Sequence, residues 1–118
     1  MDSAQLVRAI LAGREDWVEV PGKPGRRVKV RRPAAVELRK SGVDGVALVC
    51  ERVVDWEGFV EDDLLGGNGV GSSDPVPFSA AVWSAWVVDQ VEVIAAVVAK
   101  LGELVDKYSA SIEGARKN

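Results

Sequence analysis

The sequence predicts an α+β domain, mainly α, with four or five helices, one β-hairpin and no large sheet. Three observations carry this. Apolar residues recur at spacings of three and four through most of the chain. Between residues 18 and 31 valines alternate with charged residues instead, on both sides of Pro21-Gly22-Lys23-Pro24-Gly25. A Gly-rich stretch then separates two helical patterns.

Each element has its own signal. Residues 3–12 read as a helix that Asp2 or Ser3 can cap, with Leu6, Val7, Ile10 and Leu11 on one face and Gly13 ending it. In the hairpin, Val18, Val20, Val28 and Val30 share one side, and Glu19, Arg27, Lys29 and Arg31 the other. Two strands alone are marginal, so the valine face must pack on helices or on another chain. Pro33 suits the first position of a short helix over 33–40, which Gly42 can end. Ser41 and Asp44 have capping-box spacing for a helix over 43–55, with Val43, Val46, Ala47, Cys50, Val53 and Val54 as its stripe.

Residues 61–74 are acidic, then rich in Gly, and predict a flexible loop. Ser79 can cap a helix over 80–90 carrying Val82, Trp83, Trp86 and Val87. The last helix spans 91–113. Ile94, Val98, Leu101, Val105, Tyr108 and Ile112 form its stripe, Val97 and Leu104 widen it, and Glu103 can pair with Lys107. Residues 114–118 read as a frayed polar end.

Length and composition bound the function. The 118 residues make one domain over 1–118 the natural expectation, and 47% apolar with 28% charged residues is ordinary for a globular chain. The single cysteine, Cys50, excludes an intramolecular disulfide and points to a reducing cytoplasm. No signal peptide is evident, and no run reaches the roughly 18 apolar residues of a membrane span.

The chain has no histidine, so neither a Ser-His-Asp nor a Cys-His arrangement can be built. A zinc site of the usual N/S type is excluded in the same way. The Gly-rich loop lacks the Lys-Ser/Thr pair of a phosphate-binding loop. No enzyme, metal or cofactor is therefore expected. The basic run from Lys23 through Arg26, Arg27, Lys29, Arg31, Arg32, Arg39 and Lys40 has no interleaved aromatics to stack on bases. It reads as a solvated strand face, or a surface for an acidic protein, before a nucleic-acid site.

Four tryptophans stand out beside two phenylalanines and one tyrosine. Each singly is an ordinary core anchor, yet Trp is enriched in binding hot spots. Trp56 and Phe59 border the loop, and Trp83 and Trp86 share one short helix, so these four are the candidates for a partner-facing surface.

Several pieces taken together form a recognisable order. Val28-Lys29-Val30-Arg31-Arg32-Pro33 leads into a helix. Val53-Val54-Asp55-Trp56-Glu57-Gly58-Phe59 precedes the acidic, Gly-rich loop. Pro75-Val76-Pro77-Phe78-Ser79 opens the Trp-bearing helix. This order, over residues 17–90, resembles the tail assembly chaperones of long-tailed bacteriophages and related prophages. The resemblance implies a non-enzymatic protein of the host cytoplasm that binds the tape measure protein, helps recruit tail tube protein, forms homo-oligomers, and is absent from or minor in the virion. A structural tail or connector subunit is the alternative, and a small nucleic-acid-binding regulator a third. The hairpin edge and the wide last stripe are the surfaces expected to self-associate.

Overall fold

The computed structural model describes residues 1–38, 45–66 and 69–117. The expected Ser41–Asp44 capping pair, the helix end at Gly42, and Val43, Arg39 and Lys40 lie outside them. Among the described residues, six helices and three strands run in the order α1 (Ser3–Ala12), β1 (Glu15–Glu19), β2 (Arg27–Arg31), α2 (Ala35–Leu38), α3 (Gly45–Arg52), β3 (Val53–Glu57), α4 (Glu61–Leu64), α5 (Ala80–Val87) and α6 (Val91–Lys117). The architecture is α+β, mainly α, as the sequence predicts.

The sheet is antiparallel in the order β1-β2-β3. The hairpin has the expected sidedness: Val18 lies opposite Val28 and Trp17 opposite Lys29. β3 is the correction. It was expected as the end of a helix over 43–55, but the helix stops at Arg52 and the chain turns into the sheet beside β2. The cause is a register shift. Val53 pairs with Val30 and Asp55 with Lys29, so Val54 is an extra residue in β3. That insertion brings Val53 and Trp56 to the same buried face although they are three apart, a spacing that reads as helix in the sequence. The third strand also relieves the marginal hairpin.

The valine face of the sheet packs on three helices. Val20, Val28, Val30, Val53 and Trp56 meet Val49 of α3, Trp83 and Val87 of α5, and Val93, Val97, Leu101 and Leu104 of α6. Two stripes are therefore rotated from expectation. In α3 the fully buried side chain is Val49, whereas Val46 is exposed and Cys50 only half-buried. In α6 the line through Val97 and Leu104 is the centre of the buried face, and Val98 stands in solvent. Both helices carry apolar residues on adjacent lines, and the sheet selects which line is covered.

Local signals act much as read. Asp2 caps α1 with a full capping box: Gln5 N–H donates to its side chain, and Asp2 N–H donates to the Gln5 side chain. Ser79 Oγ accepts from Val82 N–H at the start of α5. Pro33 is buried just ahead of α2, which begins at Ala35 and not at the proline. Glu103 pairs with Lys100 at 3.1 Å rather than with Lys107. α6 continues through Lys117, past the point where a frayed end was expected. α5 and α6 form a chain corner bent by 117°. No single helix among the described residues is long and apolar enough to cross a membrane.

Candidate interaction surface

The four sequence-derived candidates come together, but in the interior. Trp56 and Phe59 lie with ring centroids 4.6 Å apart, Phe59 and Trp86 5.6 Å, and Trp83 and Trp86 5.8 Å. Phe78 closes the cluster edge-on to Trp56 at 5.2 Å. Trp56, Phe59 and Trp83 are buried, and only Trp86 is partly exposed. Their polar edges are used internally: Trp56 Nε1–H donates to the Val76 carbonyl at 2.7 Å, and Trp83 Nε1–H to the Val49 carbonyl at 3.1 Å. Three of the four candidates are thus core anchors with no accessible surface to offer. A buried Trp needs one partner for its N–H, and here that partner ties a loop or a neighbouring helix to the core.

The loop after Phe59 has more structure than its composition discloses. Glu61, Asp62 and Val76 N–H donate to the carbonyls of Asp74, Ser72 and Phe59, and α4 forms one helical turn. These three amides are expected to exchange with solvent more slowly than that of Val70, which is 70% exposed. Equal, fast exchange across residues 61–76 would contradict the arrangement.

Asp63 anchors this loop to the hairpin turn. Its carboxylate accepts from Val60 N–H and from Arg26 Nε, both at 2.9 Å, with Lys23 at 3.8 Å. Burial pushes its pKa up. The hydrogen bonds from Val60 and Arg26, with the charges of Arg26 and Lys23, together outweigh burial and hold the carboxyl below the usual aspartate value. A lowered folded-state pKa gives stability that is present above the unfolded value and lost as pH falls through the folded one. Asp63→Asn is expected to cost about 1–2 kcal/mol near neutral pH. The gap between variant and native protein should close in acid, as read by urea midpoints across pH. A gap independent of pH would contradict this account.

The basic run is largely neutralised by its neighbours. On the outer sheet face Arg31 pairs with Glu15 at 2.6 Å and Arg27 with Glu57 at 2.7 Å. Arg27 and Lys29 lie over the Trp17 ring, and Arg32 over Tyr108. This face alternates sign across three strands and does not form a block of positive charge suited to phosphates.

Both sheet edges are blocked at an outward amide. The hydrogen-bonded pairs of β1 leave Trp17 N–H pointing away from β2, where it donates to the Asp16 carboxylate at 2.8 Å. Trp56 N–H likewise donates to Asp55 at 2.8 Å. Lys100 reaches Asp16 from α6. Side-chain plugs of this kind discourage strand addition, so the edge-to-edge contact expected of the hairpin has a poor template.

The free apolar surface is mostly helical; the expected stripe of the last helix contributes Val98 to it, and the α1 face is the part that sequence reasoning did not single out. Leu6, Val7 and Ile10 of α1 are 48%, 54% and 57% exposed, and α1 buries no residue. Val82 of α5 and Val91 and Val98 of α6 are also exposed, as is Leu65 after α4. Leu64, Leu65, Val76, Val82 and Glu61 line an open, mostly apolar groove of about 250 Å³. Among the described residues no group of three His, Cys, Asp or Glu is placed to hold a metal.

Fold and surface together define a small α+β domain with a three-stranded antiparallel sheet and apolar helical faces turned outward. No family model, characterised protein or solved structure matches this chain.

Proposed function

We propose that this protein is a non-enzymatic assembly chaperone of long-tailed phages or related prophages. In this reading it acts in the host cytoplasm, binds the tape measure protein, keeps it soluble, and helps bring tail tube protein to it as a homo-oligomer. The observation that carries the proposal is the set of apolar side chains left in solvent on α1, α5 and α6. A long helical client with apolar stripes aggregates unless those stripes are masked. Apolar helical faces mask them by side-by-side or helix-in-groove packing. The resemblance over residues 17–90 names the client.

The proposal revises which residues make contact. Trp56, Phe59 and Trp83 build the platform, and the exposed positions of α1, α5 and α6 meet partners. Mass spectrometry of purified virions separates the chaperone from a structural tail subunit. The chaperone reading expects the chain in infected cells and at no more than trace level in particles. A stoichiometric copy number in the virion would replace it with the structural reading.

A further inference from the structure

We infer that α1 of one copy docks into the α4–α5 groove of a second copy, so that this protein associates with itself through two different surfaces. The inference deepens the oligomeric part of the proposed function, and its test needs no client, so the two can fail separately.

The first observation is a helix without a floor. α1 is ten residues long, capped at its start, and apolar along Leu6, Val7 and Ile10, yet only Leu11 is partly covered. Isolated helices shorter than about 12–15 residues are marginal in water. Such a helix gains from a surface that covers its apolar face.

The second observation is a groove without an occupant. Leu64, Leu65, Val76 and Val82 line it, with Glu61 at its rim. It shares no lining residue with α1, which borders instead a cleft beside Glu15, Lys29, Arg31, Val54 and Asp55. The backbone after α1 is held to β2, because Arg32 N–H donates to the Arg14 carbonyl at 2.9 Å.

The third observation is charge, and it selects a second copy as the occupant. The groove is lined by Glu61 and by no Lys or Arg; the surrounding residues 53–99 contain eight Asp and Glu and no Lys or Arg, of which Glu57 and Asp63 are already paired with Arg27 and Arg26. Residues 1–52 contain eleven Lys and Arg against seven Asp and Glu. α1 itself carries Arg8, with Arg14 just beyond, and its one carboxylate is the capping Asp2. A basic, apolar helix and an acidic, apolar groove are complementary. The contact is heterologous, so each bound pair still has one free α1 and one free groove.

The test is a complementation experiment on the full-length chain. Ile10→Glu spoils the helix face, and Val82→Glu spoils the groove. Both side chains are exposed, and Leu6→Glu with Leu65→Glu provides a second pair should either variant misfold by circular dichroism. Sedimentation of native protein at high micromolar concentration should show species larger than a dimer. Each variant alone should sediment as a monomer. The equimolar mixture of the two should form a 1:1 dimer, since one still has its groove and the other its α1. A monomeric native protein, variants that associate like the native chain, or a mixture that stays monomeric would each overturn the inference.

Discussion

Gly58→Ala is expected to be the most damaging single-methyl change in this protein. Gly58 follows β3 with φ +85°, a region that L side chains rarely adopt. A Cβ built there would lie 2.2 Å from the Gly25 carbonyl oxygen in the β1–β2 turn. Two backbone segments meet at that point, so neither can yield by a rotamer change. Strain from the left-handed conformation and the overlap together should cost about 3 kcal/mol or more. In a domain stable by about 5–15 kcal/mol, that lowers the melting temperature by roughly 10 °C. Gly22→Ala is the control. Gly22 has φ +75° but nothing within 4 Å of its Cβ position, so it carries the conformational cost alone, about 1 kcal/mol. Equal effects of the two substitutions in thermal unfolding would show that the contact with Gly25 is unimportant.

Trp83→Ala is the second large effect expected. Its ring is fully buried among α3, α5 and α6, and its N–H satisfies the Val49 carbonyl. Truncation removes the largest fully buried side chain and leaves a cavity, which costs about 3–5 kcal/mol. It also orphans a carbonyl in α3. Trp83→Phe keeps most of the apolar volume and isolates the hydrogen bond, with an expected cost of about 1–2 kcal/mol. Urea midpoints check both. If Trp83→Ala unfolded at the native midpoint, Trp83 would be a surface residue available to a partner, and the interior placement would be wrong.

Much of the fold is legible in the sequence because it rests on local chemistry. Asp2 and Ser79 as caps, the valine alternation, and the helical spacing from 91 onward are short-range signals. β3 was not legible for a specific reason. Its bulge at Val54 places Val53 and Trp56 on one face at helical spacing, and the run continues the apolar stripe of α3 without a breaker. The choice between neighbouring stripes, Val97 over Val98 or Val49 over Val46, depends on where the sheet lies, which no helix encodes by itself.

The interaction surface was less legible still. Tryptophans attract attention by composition, but Trp56, Phe59 and Trp83 are where a small domain without disulfides places its largest apolar groups. The exposed face of α1 has the same periodicity as a buried one. Only the absence of anything packed over Leu6, Val7 and Ile10 separates the two cases, and that is a property of the tertiary structure. The basic run shows the reverse effect. Its positive charge is conspicuous along the chain and is offset in space by Glu15 and Glu57 from the flanking strands.

The most direct test of the chaperone role is the soluble fraction of the tape measure protein, expressed alone and together with this chain. Masking of apolar helical stripes predicts that co-expression raises the soluble fraction severalfold and that the two proteins co-purify. The gain should shrink when Leu6, Val91 or Val98 is replaced by Glu, with the fold retained. An unchanged soluble fraction and no recoverable complex would contradict the central claim.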